Sequence, residues 1–266
     1  MRFALKDAGL RIESKEYPIL EFDPDKTSVT SPKTLSGSLR VPENCVLCFF
    51  NDVLQKLYKK GLTKIIGNVR SEIGPFPIYE IEFNGKKIAI FHPGVGAPLA
   101  AAFLEEIISL GARKFIACGG AGILDKKISV GHLLVPTSAV RDEGTSYHYL
   151  PPGREIGANP SAVRVLMETL TNHNVKYLLT KTWTTDAFYR ETRGKVMLRQ
   201  SEGCLTVEME ASALFAVAEF RGVPLAEVLY AGDDVSGDIW DVRTSKKRNI
   251  AREDLLYLSI EACSRL

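Results

Sequence analysis

Short apolar runs alternate with longer segments of helical periodicity along most of the chain. The first apolar run, Cys45 to Phe50, has the length of a buried strand, and Asp52 to Lys60 follows it with apolar residues at helical spacing. Two further runs, Ile78 to Phe83 and Lys87 to Phe91, flank Asn84-Gly85. Asn-Gly between two such runs is a strong signal of a β-hairpin, so we predict a strand, a helix and a hairpin in this order.

The alternation of helix and strand patterns continues to the end of the chain. Leu99 to Leu110 is rich in alanine and apolar at helical spacing; Pro98 suits the first helical position and Gly111 the position after the last turn. Further strands are predicted over 114–118, 132–136, 176–182 and 225–230, and further helices over 160–171, 211–222 and 246–264. This pattern predicts an α/β fold with three layers, α/β/α, around a mixed, partly parallel central sheet.

The first 43 residues have a different character from the rest. They are polar and rich in proline and serine, with Pro24, Ser31-Pro32 and Ser36 to Ser38 as breaks. We interpret 1–43 as an N-terminal arm that oligomer contacts could order, and 44–266 as one domain. A chain of 266 residues is near the upper end for a single hydrophobic core.

Composition excludes several classes of protein. Apolar residues make up 45% and charged residues 25%, and the formal net charge of +2 gives no bulk electrostatic case for a nucleic-acid partner. No stretch reaches the roughly 18 uninterrupted apolar residues of a membrane span, and the first residues lack the apolar core of a secretory signal. We therefore expect a cytoplasmic protein with no membrane partner.

The five cysteines are scattered through apolar stretches, which is typical of reduced, buried thiols. Cys45 and Cys48 have CxxC spacing, but residues three apart on a strand point to opposite faces. No second Cys or His pair stands nearby at ligand spacing. We predict no metal site.

Candidate chemistry is concentrated around Thr206 to Ala211, where Glu208 and Glu210 flank Met209 as a loop or a strand end gives way to an apolar helix. Carboxylates there favour the helix dipole, and acidic first-turn residues alone would need no further explanation. The segment Thr184 to Arg190 and the run Gly232-Asp233-Asp234, however, also follow predicted strands. Polar groups at the ends of successive elements are how open α/β sheets build a binding site.

Three loops add to this picture. His92 to Pro98 and Gly119 to Gly122 are glycine-rich and follow strands, which lets a backbone approach a ligand closely. Neither has the GxGxxG spacing or the lysine of a triphosphate-binding loop, so dinucleotide and triphosphate binding are disfavoured. The loop Arg141 to Tyr149 is dense in hydrogen-bonding side chains, which favours a binding role.

In chain order, the motifs HPGVGAP, GGAG, DEGTS, TTDAFY, VEMEA and YAGDD resemble those of the nucleoside phosphorylase-I family, from about Val46 to the C-terminus. That family includes purine nucleoside phosphorylase, uridine phosphorylase and the methylthioadenosine/S-adenosylhomocysteine nucleosidases. The resemblance implies a small-molecule nucleoside as substrate and no cofactor, with inorganic phosphate as a possible co-substrate. It also implies a homodimer or a hexamer built as a trimer of dimers.

The resemblance assigns roles residue by residue. Glu210 falls where the family binds the ribose 2′ and 3′ hydroxyls, and Met209 where a thioether packs on the sugar. Phe188 matches an aromatic side chain that stacks on the base, and Asp233 an aspartate beside N7 of a purine. Arg70 resembles an arginine that reaches phosphate from a neighbouring subunit.

These roles fit the chemistry of glycosidic cleavage. Breaking the C1′–N bond develops positive charge on the ribose and negative charge on the base. The carboxylate of Glu210 would favour the positive charge, and Asp233 would protonate the base. Asp233 would then need a raised pKa, for which burial or the neighbouring Asp234 are candidate causes.

The chain also departs from the phosphorolytic members of the family. They carry arginines after the first strand and before the glycine turn, where this chain has Phe50 to Gln55 and Ala117. Either water replaces phosphate as the acceptor, or phosphate is bound differently. Phosphate could be bound by Arg70, Arg141, Thr145 and the backbone N–H groups of Gly119-Gly120-Ala121, with Arg70 and Arg141 as the tentative phosphate-binding residues. The substrate-binding set comprises Phe188, Glu208, Met209, Gly119, Gly120, Thr145 and Arg193.

The sequence therefore predicts cleavage of the N-glycosidic bond of a nucleoside. Phosphate is named first as the acceptor because Arg70 and a glycine-rich turn remain, and a hydrolytic nucleosidase is the alternative. A non-catalytic nucleoside-binding protein is the alternative from another class. The identity of the base stays open. Asp233 favours purines, whereas the DEGTS loop resembles that of uridine phosphorylases. Those enzymes recognise the base with an arginine, and Arg190 or Arg193 could take its place.

Overall fold

A computed structural model describes residues 12–32, 38–243 and 246–266, with side chains described everywhere in these ranges except at 246–250. Parts of the expected N-terminal arm, residues 1–11 and 33–37, lie outside the described residues. The described part of the arm contains a 3-10 helix, Pro18–Leu20, and Lys26 accepts a hydrogen bond from Arg221 through its backbone oxygen. The division into an arm and a catalytic domain stays a prediction.

Ten strands and six α-helices make up the described fold. The strands are β1 (Asn44–Cys48), β2 (Lys64–Ser71), β3 (Gly74–Phe83), β4 (Lys86–Phe91), β5 (Lys114–Ile123), β6 (Leu133–Asp142), β7 (Glu155–Gly157), β8 (Tyr177–Thr185), β9 (Cys204–Glu208) and β10 (Leu225–Asp234). The helices are α1 (Asn51–Lys59), α2 (Ala97–Leu110), α3 (Pro160–Asn172), α4 (Arg193–Ser201), α5 (Ala211–Arg221) and α6 (Lys246–Arg265). Two further 3-10 helices span Thr145–His148 and Phe188–Arg190.

The described strands form one mixed sheet in the order β10-β6-β8-β9-β5-β1-β4-β3-β2, with β7 paired to β6. The pairs β1–β4, β1–β5, β5–β10, β6–β8 and β8–β9 are parallel, and the others are antiparallel. Because β10 pairs with both β6 and β5, five of the strands close on themselves while the rest extend outward as an open sheet. The predicted α/β class with a mixed, partly parallel sheet is confirmed.

Local sequence signals explain several of these elements. Asn84 and Gly85 have φ of 49° and 74°, the left-handed conformation that a two-residue hairpin turn requires, and they join β3 to β4 as predicted. Helix α5 ends at Gly222, whose φ of 69° places it in the left-handed region. Helix α3 begins at the N-cap Asn159, whose side chain accepts a hydrogen bond from the N–H of Ala162.

The core lies between the sheet and its helices. Every residue of β1 is buried, and so are nine of the ten residues of β10. Helices α2 and α5 pack on each other, and α6 packs on α3, β1, β5 and β10. All five cysteines are buried and free, in agreement with the prediction of reduced core thiols.

The structure corrects the interpretation of the GGAG segment as a turn. Gly119 to Gly122 continue strand β5, because β10 runs beside them and pairs Leu229 with Gly119 and Tyr230 with Gly120. Strands β2 and β7 and helix α4 were not predicted either. They lack the apolar runs that marked the other elements, since β2 is largely exposed and α4 buries few of its residues.

Candidate active site

A cavity of about 1110 Å³ opens beside the later residues of β5, β9 and β10. It brings together eight of the predicted site residues, which come from four separate segments of the chain. These are Gly119, Gly120, Phe188, Arg193, Glu208, Met209, Glu210 and Asp233. The GGAG, TTDAFY, VEMEA and YAGDD motifs therefore converge on one place in the fold.

Glu208, the last residue of β9, is a buried carboxylate with many hydrogen bonds. Its Oε2 accepts the backbone N–H groups of Glu210 and Ala211, both at 2.6 Å, at the start of α5. Its Oε1 accepts the hydroxyls of Thr184 at 2.6 Å and Thr182 at 3.3 Å. The side chain thus joins β8, β9 and the N-terminus of α5, where negative charge is favourable. Burial nevertheless raises the pKa of Glu208.

Glu210 is the N-cap residue of α5 and is also buried. Its Oε1 accepts the backbone N–H of Gly96 at 2.6 Å, which ties the HPGVGAP loop to the cavity. Gly96 has a φ of 89°, in the left-handed region that favours glycine. Burial and, next, the charge of Glu208 raise the pKa of Glu210 to about 8.

Asp233 and Glu191 form a second acidic group in the cavity. The Oδ2 of Asp233 accepts the indole N–H of Trp240 at 2.6 Å. Glu191 also lines the cavity, and burial together with the charge of Asp233 raises the pKa of Glu191 to about 7. A carboxyl group with such a pKa can hold or give up a proton near neutrality. The neighbour expected for Asp233, Asp234, instead pairs with Arg243 at 2.5 Å.

The rim beside this group is aromatic. Phe188 is 44% exposed and its ring centroid lies 4.0 Å from that of Tyr189. Arg193, the first residue of α4, donates to the backbone oxygen of Ser236 at 2.6 Å and pairs with Asp238 at 3.3 Å. These contacts place an exposed ring and a guanidinium at the cavity mouth.

Gly119 and Gly120 of β5 pack closely against aromatic rings of the cavity. A Cβ atom on Gly120 would lie 2.8 Å from ring carbons of Tyr230, and one on Gly119 would lie 3.3 Å from the ring of Phe49. Side chains at these positions would displace the aromatic rings that line the cavity. Close packing is therefore a sufficient reason for glycine here, and phosphate binding by this backbone stays a prediction.

Three predicted residues do not line the cavity. Arg141 is buried and its guanidinium donates to Ser146 Oγ at 2.9 Å and to the backbone oxygen of Pro151 at 2.8 Å. Thr145 starts the 3-10 helix of the same loop, and Arg70 is exposed on β2, the last strand in the sheet order. The structure brings neither arginine to the other candidate residues, and their phosphate-binding roles stay predictions.

The cavity residues that sequence reasoning missed include four with polar or charged groups: Glu191, Glu227, Trp240 and Arg252. Glu227 had a signal, because a charged residue inside the apolar run 225–231 is unusual for a buried strand. Trp240 and Arg252 come from segments that carry no recognisable motif, so only the fold could place them.

The sequence of residues 45–258 matches the phosphorylase superfamily. The chain belongs to this superfamily. It is 28% identical to a guanosine phosphorylase of Halorubrum lacusprofundi over 184 residues, which cover 66% of this chain and 76% of the relative. The sequence-based recognition of the family is confirmed.

Solved structures of the superfamily share this fold. A uridine phosphorylase of Vibrio fischeri superposes with a TM-score of 0.75 at 23% identity, covering 91% of this chain and all of that one. An AMP nucleosidase of Bacteroides thetaiotaomicron superposes with a TM-score of 0.68 at 23% identity, covering 85% of this chain and 88% of that one. At such identities the likeness concerns the fold alone.

None of the helices in the described residues combines the length and the apolar character that crossing a membrane requires. The described residues also hold no cluster of three or more His, Cys, Asp or Glu side chains arranged for a metal ion.

Proposed function

We propose that this protein cleaves the N-glycosidic bond of a nucleoside. The observation that carries the proposal is the joint position of Glu210 and Asp233 in one cavity, each with a defined hydrogen bond. An enzyme acting on nucleosides is also what the superfamily indicates, since its members here are named as phosphorylases or a nucleosidase.

In this proposal Glu210 binds the sugar. The Gly96 N–H holds one of its oxygens, and the carboxylate faces the cavity, where vicinal hydroxyls can donate to it. Its fixed carboxyl group orients the sugar, and its ionised form stabilises the positive charge that develops at C1′ as the bond to the base breaks. Met209 supplies an apolar contact to the same sugar.

The base lies at the aromatic rim, against Phe188. As the C1′–N bond breaks, its electron pair moves to the base, which takes up a proton from the acidic group of Asp233 and Glu191. Glu191 is suited to this because its pKa of about 7 leaves a proton available near neutrality. Arg193 and Tyr189 flank the rim and can contact the edge of the base.

The acceptor at C1′ is phosphate in the phosphorylases and water in a nucleosidase, and both kinds of enzyme occur among the similar proteins. Purine and pyrimidine bases are both represented, by a guanosine phosphorylase and a uridine phosphorylase. A dimer or a trimer of dimers remains our proposal for the assembly, with the exposed Arg70 offered to a neighbouring subunit.

The test is release of free base from adenosine, inosine, guanosine, uridine, thymidine and methylthioadenosine, each with and without phosphate. We expect release from at least one of them. Glu219→Gln is a matched control for Glu210→Gln, because Glu219 is exposed on the same helix. Nucleoside binding without release from any substrate would favour a non-catalytic binding protein instead.

A further inference from the structure

Arg252, on helix α6, is a cavity residue for which the proposed reaction has so far no role. Its guanidinium carbon lies 4.9 Å from the ring centroid of Phe50, which also lines the cavity. The Arg252 side chain is 20% exposed. Stacking on an aromatic ring and partial burial hold the planar guanidinium in place. Because arginine stays protonated in proteins, Arg252 presents a fixed positive charge to the cavity.

The acidic partner of Arg252 lies outside the cavity. Asp52 accepts a hydrogen bond from Nη1 at 3.1 Å and a second one from Nη2. Asp52 is 66% exposed and does not line the cavity. A guanidinium has more N–H groups than one carboxylate accepts, and Nε of Arg252 is buried without a partner among the described residues. Asp52 therefore orients the guanidinium and leaves N–H donors for an acceptor inside the cavity.

The N-terminus of α1 adds to the positive potential at this place. Phe50 is the N-cap residue of α1, and its apolar side chain caps none of the first N–H groups of the helix. Such N–H groups and the helix dipole favour an anion. The guanidinium of Arg252 lies on the ring of this same residue. An oxyanion is therefore the kind of ligand that this end of the cavity favours.

Contacts of the neighbouring Phe49 place this end of the cavity beside the sugar. The ring centroid of Phe49 lies 6.1 Å from that of His92. His92 belongs to the HPGVGAP loop, whose Gly96 N–H donates to Glu210, the proposed sugar ligand. An oxyanion bound next to Phe50 is thus close to the ribose rather than to the aromatic rim.

The carboxyl groups of the cavity do not prevent an anion from binding there. Burial raises the pKa of Glu210 to about 8, and it raises the pKa of Glu227 well above its ordinary value. Both groups are therefore largely protonated near neutrality, and a protonated carboxyl group does not repel an anion.

We infer that Arg252 binds a phosphate group beside the sugar. This inference rests on the proposed function. The phosphate is either free inorganic phosphate or the 5′-phosphate of a nucleotide, since both present the oxygens that a guanidinium binds in pairs. Arg70 and Arg141, the phosphate-binding residues expected from the sequence, do not line the cavity.

The two sources of phosphate lead to different products. An oxygen of free phosphate forms a bond to C1′ while the C1′–N bond breaks. The electron pair of the broken bond goes to the base, which takes up a proton, and pentose 1-phosphate is the other product. A 5′-phosphate stays on the sugar instead, and the oxygen of water forms the bond to C1′. Water then loses one proton, the base gains one, and the products are free base and pentose 5-phosphate.

The first experiment measures base release by the unmodified protein from nucleosides, with and without inorganic phosphate, and from their 5′-monophosphates. Phosphate-dependent release with pentose 1-phosphate would identify free phosphate as the ligand. A kcat/KM for a 5′-monophosphate about tenfold or more above that of its nucleoside would identify the phosphate of the substrate. Release that neither phosphate improves would overturn the inference and leave the proposed function standing. No release from any compound would remove the proposed function itself.

The second experiment compares Arg252→Gln with the matched control Arg265→Gln. Arg265 lies on the same helix and pairs with Glu168, but it does not line the cavity. Loss of charge-assisted hydrogen bonds should raise the KM for phosphate or for the 5′-monophosphate by about 10–100-fold in Arg252→Gln. The KM for a nucleoside without a phosphate group should change only a few-fold, and the control should keep both values. A merely structural role predicts that both KM values change together.

A second variant covers the case that Arg252→Gln does not fold. Arg252→Lys keeps the positive charge and much of the packing but cannot bind two phosphate oxygens at once, so we expect the same KM to rise about tenfold. If no base is released, calorimetric titration of inorganic phosphate and of a nucleoside 5′-monophosphate into the unmodified protein and these variants tests the inference alone. Equal affinities, or KM values equal to those of the control, would overturn it.

Discussion

Glu208 and Glu210 are two positions apart, yet their carboxylates serve different parts of the structure. Glu208 accepts two backbone N–H groups and two threonine hydroxyls, so its hydrogen bonds hold β8, β9 and α5 together. Glu210 accepts the N–H of Gly96 and faces the cavity. The carboxylate of Glu208 therefore stabilises the fold, and we expect the carboxyl group of Glu210 to contact the substrate.

Because of this difference, we expect replacement by glutamine to lower stability at Glu208 and activity at Glu210. Glu208→Gln should lower the free energy of unfolding by roughly 1.5–3 kcal/mol, because an amide cannot accept all four hydrogen bonds. Glu210→Gln should not lower the free energy of unfolding, and it should lower kcat/KM for nucleosides by about 10²-fold or more. Urea denaturation and steady-state kinetics on both variants measure the two effects. Normal turnover in Glu210→Gln would remove the assignment of this residue to the ribose.

The stability of the protein should fall as the pH rises from mildly acidic to mildly basic values. The pKa of Glu191 is raised to about 7 and that of Glu210 to about 8, both above the value of about 4.3 for an exposed glutamate. Between about pH 4.3 and pH 8 the folded state binds more protons than the unfolded state. The stability that protonated Glu191 and Glu210 contribute is therefore fully present below about pH 4.3 and is lost as the pH rises through 7 to 8.

Thermal melting between about pH 5 and pH 8.5 tests this prediction. Because glutamine does not titrate, Glu191→Gln and Glu210→Gln should each flatten the decline in Tm, and the double variant should flatten it further. The buried Glu208 and Glu227 keep part of the slope, since their pKa values are raised as well. A Tm that rises steadily over this range in the unmodified protein would contradict the prediction.

Much of the fold and part of the site could be predicted from the sequence because their signals are local. The hairpin at Asn84 depends on two adjacent residues, and Met209 and Glu210 stand together in one motif. Asp233 directly follows an apolar run, where a strand was expected to end. Such signals survive without knowledge of the tertiary structure.

The remaining site residues depend on contacts between distant segments. Trp240 donates a hydrogen bond to Asp233 from a loop with no recognisable motif, and Arg252 lines the cavity from the last helix, α6. The like-charged neighbour of Asp233 is Glu191, from another segment, rather than the adjacent Asp234. The neighbour of Asp233 in the sequence was therefore not the carboxyl group that interacts with it in the structure.

Arg141 should matter for stability more than for substrate binding. Its guanidinium donates to Ser146 and to the backbone oxygens of Leu150 and Pro151, and it lies 4.4 Å from the ring centroid of Tyr147. Arg141→Ala should lower the free energy of unfolding by roughly 1.5–3 kcal/mol, because buried hydrogen bonds to a charged donor are lost.

The control for this variant is Arg164→Ala, at an exposed position of α3, which should have little effect on stability. Denaturant midpoints give the difference between the two variants. The KM for nucleoside, and for phosphate if phosphate is used, should stay within a few-fold of the unmodified protein. A large rise in the KM for phosphate in Arg141→Lys would instead support the phosphate-binding role expected from the sequence.

Trp240 should report on ligand binding through its fluorescence. The chain has two tryptophans: Trp183 is fully buried and donates to Asp142 at 3.0 Å, whereas Trp240 is 54% exposed and donates to Asp233 at 2.6 Å. A base that stacks at the rim changes the surroundings of Trp240 and leaves those of Trp183 unaltered. We therefore expect nucleoside to change the emission of the unmodified protein but not that of Trp240→Phe.

The same variant tests the hydrogen bond to Asp233. Loss of a donor to a carboxylate at a partly exposed position should lower kcat/KM roughly tenfold. Asp233→Ala should make the Trp240 substitution nearly silent, since both substitutions remove the same hydrogen bond. A double-mutant cycle on kcat/KM measures this coupling. Additive effects of the two substitutions would show that Trp240 acts independently of Asp233, and an unchanged ligand response in Trp240→Phe would place the base elsewhere in the cavity.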